Sequence, residues 1–109
     1  MDLTKQKCVP CEGGVEPMSK ADAEAMLEFH IKDWTLSGDT KQISKKFEFK
    51  NFTEALSFVN KVGSIAEAEG HHPDIHLTNY KNVEIDLSTH AIDGLSQNDF
   101  IVAAKIDKK

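Results

Sequence analysis

Apolar positions recur every three or four residues along three stretches of this chain and alternate with polar ones along the stretches between. Ala23, Met26, Leu27 and Ile31 fall on one helical face and predict a first helix over about 20–32. Phe52, Ala55, Leu56, Val59, Val62 and Ala66 predict a second over 52–69, and Phe100, Ile101, Ala104 and Ile106 a third over 97–107. Each predicted start carries cap chemistry: Ser19 before Asp22, Asn51 before Glu54 and Ser96 before Asp99. The capping oxygen meets free amide groups, and the acid three residues on faces the positive end of the helix dipole. Among the alternating stretches, Val83, Ile85 and Leu87 interleave with Asn82, Glu84, Asp86 and Ser88. Ile43, Phe47 and Phe49 share a face, with Lys45 as its exception, opposite Gln42, Ser44, Lys46 and Glu48. Two shorter pieces, Trp34–Ser37 and Ile75–Leu77, complete the set.

The order is therefore α-β-β-α-β-β-α. Strict alternation buries one face of each strand, which predicts an α+β fold of two layers: a four-stranded antiparallel sheet with three helices on one face. The other face is polar and broad, suited to contact between copies. At 109 residues the chain has room for one core. Residues 1–18, with Pro10, Gly13, Gly14 and Pro17, are expected to form a flexible leader, and 19–109 the single domain.

Charge narrows the function. The chain carries −5, and its thirteen basic residues are all lysines, so it lacks the planar guanidinium fork that reads base edges. Direct nucleic-acid binding is not expected. No apolar run approaches the roughly 20 residues of a membrane span, and the first residues are polar, which points to the cytoplasm. Cys8 and Cys11 are too few for a disulfide framework and have no second cysteine pair to complete a zinc site. A redox pair of thioredoxin type opens a helix after a strand, whereas this one lies in the leader. Two unengaged thiols are expected.

Four of five histidines crowd into twenty residues: His71, His72, His76 and His90. His71 and His72 follow Gly70, where the second helix should stop, and precede Pro73, which disfavours helical backbone at His72. Counting by twos from Val83 puts Thr89 with the buried set and His90, at the strand end, on the opposite face. Surface histidines near turns are the plain alternative. The pair held between Gly and Pro, with a third at a strand end, favours acid–base chemistry instead. His76 and His30 alone carry no such signal. A metal site is disfavoured, because adjacent histidines diverge and the HExxH helical spacing is absent. Glu67, one turn before His71, stands where it would orient that imidazole or accept from a ligand's N–H groups.

The run Glu67-x-x-x-His71-His72-Pro73, then Tyr80, Val83 and Ser88-Thr89-His90, then Gly94-Leu95-Ser96-x-x-Asp99, closely resembles the pterin-4a-carbinolamine dehydratase family. Trp34 after the first helix and the chain length are also similar, and the resemblance covers about 19–107. It departs from the animal members at Gly70, where they have aspartate.

The resemblance implies a hydro-lyase that removes water from 4a-hydroxytetrahydropterin, the product of aromatic amino acid hydroxylases, to give quinonoid dihydropterin. It implies His71, His72 and His90 as the catalytic residues. His71 and His90 would donate protons to the departing hydroxyl, with His72 orienting or accepting. Glu67, Gly70, Pro73, Ser88, Thr89 and Ala91 would surround the pterin. No metal, redox cofactor or covalent nucleophile is called for, and the chain is expected to assemble as a homodimer or homotetramer. The resemblance also leaves open a non-catalytic role as a dimerisation partner of a transcription factor, or a pterin-binding accessory in molybdopterin metabolism.

Overall fold

A computed structural model describes residues 3–8 and 16–108. All three predicted caps are in place. Ser19 Oγ accepts from the Asp22 N–H at 3.2 Å, Asn51 Oδ1 from Glu54 at 2.9 Å and Ser96 Oγ from Asn98 at 3.2 Å. The helices they open are α1 (Lys20–Phe29), α2 (Phe52–Glu69) and α3 (Gln97–Asp107). Strands β1 (Thr35–Leu36), β2 (Ile43–Glu48), β3 (Asp74–Thr78) and β4 (Asn82–Leu87) pair antiparallel in the order β1-β2-β4-β3. The predicted α+β order is the observed one. No helix among the described residues is long and apolar enough to cross a membrane.

Register explains the core. Ile43 stands opposite Leu87, Lys45 and Ile75 flank Ile85, and Phe47 and Leu77 flank Val83. The apolar ones form the inner face of the sheet, in one cluster with Ala23, Ala55, Val62 and Phe100 from the three helices. Burying each large side chain contributes roughly 1.5–3 kcal/mol. Lys45, the exception in the inward pattern, lies with its Nζ 5.1 Å from the Phe47 ring centroid. It then reaches Asp107 at 2.8 Å. The other oxygen of Asp107 accepts from Trp34 Nε1 at 2.9 Å, so the end of α3 ties β1 and β2 together.

Three expectations change. The first helix ends at Phe29 rather than near residue 32, because His30 leaves helical backbone (φ −122°) and Asp33 turns left-handed (φ 67°). Ile31 is buried all the same. On α2, Phe52 and Leu56 are 50% and 43% exposed, and the buried stripe runs instead through Ala55, Val62 and Ala66. Phe58 packs its ring 4.5 Å from Phe47 and 5.0 Å from Phe49, rotating the helix toward that side. Lastly, residues 3–8 of the expected leader pack on the domain. Leu3, in a 3₁₀ turn (Leu3–Lys5), is buried in the main core, which leaves α3 covered on every side from Asn98 to Ala104. Pro10, Cys11, Gly13 and Gly14 lie outside the described residues.

Candidate active site

The site is built where α2 stops. Gly70 adopts left-handed backbone (φ 65°), its N–H reaches Glu67 O at 3.3 Å, and the His71 N–H reaches Ala66 O at 3.2 Å. This closes the last turn as a glycine C-cap does, and Pro73 prevents any continuation. The two histidines then part. His71 turns in toward α3, with Nε2 2.6 Å from Asp99 Oδ1, and His72 stays outside, with Nε2 2.6 Å from Glu67 Oε1. Glu67 thus partners His72 and not His71 as expected. The helix ends before His71, so the spacing that pairs residues four apart no longer applies there.

The third histidine comes from the end of β4. The inward–outward alternation persists past Leu87, placing Thr89 inside and His90 outside. The strand itself stops at Leu87, and His90 opens a 3₁₀ turn (His90–Ile92) rather than ending a strand. Thr89 N–H donates to Gly94 O at 2.7 Å, and Asp93 takes a left-handed conformation (φ 52°) to close the loop. A side chain at 94 has no room: a Cβ there would sit 2.6 Å from Pro17 Cβ. The loop that aims His90 is therefore clamped from behind.

His71, His72 and His90 border one cleft of about 450 Å³, together with Gly70, Ser88, Thr89 and Ala91. That volume lies within the usual range for small-molecule sites, roughly 300–1,000 Å³. Two predicted residues do not line it. Glu67 is in contact through His72, and Pro73 acts by turning the chain. His76 sits on the outer sheet face against Asp86, and His30 caps α1, so neither joins the cluster.

Three unpredicted residues line the cleft: Cys8, Glu69 and Asn98. The Cys8 N–H donates to Glu69 Oε1 at 2.9 Å, and its thiol donates to Asn98 O at 3.6 Å. Cys8 is not the unengaged thiol expected of the leader. Burial, followed by the Glu69 charge, pushes its pKa up to about 12, so at neutral pH the thiol stays protonated and unreactive. Glu69 is ion-paired with Lys105, whose ammonium holds the carboxyl below its usual range.

Asp99 is the group that the sequence pattern most undersells. Its carboxylate is fully buried and serves two structures at once. Oδ2 accepts from Ser96 N–H at 3.0 Å, closing the capping box of α3, and from Thr89 Oγ1 at 2.8 Å. Oδ1 faces His71. A carboxylate only accepts, so Nε2 of His71 carries the hydrogen in this contact. Nδ1 is then the nitrogen with no hydrogen bond among the described residues. The ring of His90 likewise has no partner there and is free to meet a ligand.

These features coincide with known proteins. A family model described as pterin 4 alpha carbinolamine dehydratase matches residues 16–109. A protein of Halorhodospira halophila, provisionally named a pterin-4-alpha-carbinolamine dehydratase, is 52% identical over 107 residues, covering 98% of this chain and 96% of that one. The Arabidopsis thaliana pterin-4-alpha-carbinolamine dehydratase 2, named as mitochondrial, is 44% identical over 98% of this chain and 58% of its own length. The crystal structure of a transcriptional coactivator/pterin dehydratase from Brucella melitensis superposes with a TM-score of 0.78 at 25% identity, covering 85% of this chain and 97% of that one. With the family pattern running through both histidine-bearing turns, this chain belongs to the pterin 4 alpha carbinolamine dehydratase family.

Proposed function

We propose that this chain dehydrates 4a-hydroxytetrahydropterin to quinonoid dihydropterin and water by histidine acid–base catalysis. The observation that carries the proposal is the convergence of His71, His72 and His90 on one cleft whose wall is backbone of Gly70 and Ser88–Ala91. In a carbinolamine the neighbouring ring nitrogen pushes electron density toward C4a and expels the hydroxyl. Hydroxide leaves poorly, and a proton from an imidazolium converts it to water. The ring N–H then gives its proton to a second base. Such groups typically contribute 10²–10⁴-fold. His71, held by Asp99, and His90, whose ring has no partner among the described residues, serve as donors in their imidazolium forms, and His72, tied to Glu67, orients or accepts. The substrate comes from an aromatic amino acid hydroxylase, in the cytoplasm, and the reaction needs no cofactor.

Exposed Phe52 and Leu56 stand one turn apart on α2, which favours assembly as a homodimer or homotetramer through that helix. The same patch supports a second reading, a non-catalytic partner role, in line with the word coactivator in the name of the Brucella protein.

The test follows disappearance of the hydroxylated intermediate in His90→Ala, His71→Ala and the double variant. His90 is exposed, so its loss should change stability by about 0.5 kcal/mol or less. His71→Ala leaves Asp99 Oδ1 without its partner and should cost about 1–3 kcal/mol. Each single variant should retain part of the turnover, and the double variant should approach the uncatalysed rate. A folded double variant as fast as the parent would give the partner-binding role first place.

A further inference from the structure

The outer face of the sheet carries a cluster that the proposed reaction does not use. His76 on β3 stands directly opposite Glu84 on β4, and Asp86 lies diagonally beside it on the same face. One ligand atom from each of the three lies within 4.8 Å of the other two. We infer that His76, Glu84 and Asp86 form a binding site for a divalent first-row transition ion, distinct from the histidine cleft and independent of the activity proposed there.

Asp86 supplies the independent observation. Alternation points it outward, yet it is only 9% exposed, shielded by its neighbours on a face that is otherwise polar and wet. Oδ2 meets His76 Nε2 at 2.8 Å. Oδ1 is buried and receives no hydrogen bond among the described residues. A carboxylate buried with so few donors is costly to maintain, and a cation bound to it in place of the His76 hydrogen would offset that cost. Two carboxylates thus stand beside one imidazole on this face. The nearest ammonium, Lys46 Nζ, stands 4.0 Å from Glu84 and is itself exposed. Asp74, opposite Asp86, adds a further acidic group at the rim.

The donor set indicates the ion. One imidazole nitrogen with two carboxylate oxygens suits zinc and its neighbours, whereas calcium and magnesium prefer oxygen alone. Ligand atoms about 2.0–2.1 Å from a tetrahedral ion lie roughly 3.3 Å apart. The His76–Asp86 hydrogen bond at 2.8 Å therefore needs to open by only about 0.5 Å as the ion replaces the shared hydrogen. His76 and Glu84 are accessible enough to admit it, with side chains 51% and 34% exposed. Bound there, the ion would join β3 to β4 and leave one coordination position to water.

Titrating the chelated full chain with Co²⁺, read by its ligand-field absorption, and with Zn²⁺ in a calorimeter tests this. One equivalent should bind, with His76→Ala weakening it by at least about a hundredfold, since even loss of an outer-sphere partner costs 10–100-fold. Asp86→Asn should act alike, while the site should survive both His71→Ala/His90→Ala and Cys8→Ser/Cys11→Ser. His76 is half-exposed, and a parental melting temperature for His76→Ala without ion shows the fold intact. Binding that disappears with the cleft histidines or the cysteines, that is unchanged in His76→Ala, or that never saturates below millimolar ion overturns the inference.

Discussion

Replacing Asp99 by asparagine separates what this carboxylate does for the fold from what it does for His71. Asparagine has the same shape, and its one oxygen can keep accepting from Ser96 N–H and Thr89 Oγ1. Its amide nitrogen then faces His71 Nε2, 2.6 Å away in the parent. Two N–H groups cannot face each other, so the imidazole must move its hydrogen to Nδ1 or turn away. For stability, hydrogen bonds to a charged acceptor contribute about 1.5–3 kcal/mol and neutral ones about 0.5–1.5, so weakening the two contacts that asparagine keeps should cost roughly 2–3 kcal/mol. At about 4–8 °C per kcal/mol for a domain near this size, the melting temperature should fall by roughly 10–20 °C. Turnover on the proposed mechanism should fall by about 10²-fold at a temperature where the variant is folded, because His71 no longer presents Nδ1 to the ligand in the same protonation state. The assay is loss of the hydroxylated intermediate, with the His71 tautomer read from its ring nitrogen shifts. Adding His71→Ala to Asp99→Asn should cost no further activity, since both changes act on one unit. A variant that shifts the tautomer, folds and turns over like the parent would refute a positioning role for Asp99.

Two further outcomes follow from the packing and the charges. Gly94→Ala would set a Cβ 2.6 Å from Pro17 Cβ, so calorimetry should show a loss of about 1–3 kcal/mol; an unchanged melting temperature would mean the clamp behind His90 yields freely. Glu69, whose carboxyl Lys105 holds below the usual glutamate range, contributes stability that is full above that range and lost as pH falls through the lowered folded-state value. Between pH 7 and 3 the parent should therefore lose more stability than Glu69→Gln, and parallel curves for the two would discount the pair.

What could be read from the chain divides by range. The three caps, the α-β-β-α-β-β-α order and the break at Gly70–Pro73 rest on residues within four positions of each other, where steric and capping rules act directly. The convergence of the two histidine-bearing turns was also legible, because helix-end and strand-end positions fall on one rim of the sheet. Asp99 was legible only as a cap. Its contact with His71 spans 28 residues and depends on how α3 docks on α2, which no local spacing encodes. Cys8 reaches Glu69 across 61 residues and Asn98 across 90, so a Gly- and Pro-rich neighbourhood concealed an ordered wall. Alternation placed Asp86 correctly on the outer face and still misjudged its burial, since neighbouring side chains rather than the strand's own geometry shield it. Phe52 and Leu56 misled for the opposite reason, an apolar stripe wider than the contact available within one copy.

The Leu3–Cys8 segment has a bearing on how members of this family can diverge. The family pattern begins at residue 16, whereas Cys8 stands against the histidine cleft and Leu3 anchors it in the core five residues away. One side of the cleft therefore belongs to a stretch outside the shared pattern. Changes there can reshape one wall of the cleft while the histidine-bearing turns stay as they are. Tags fused ahead of Leu3, or trimming back to the matched region, would alter which ligands fit before they altered the chemistry.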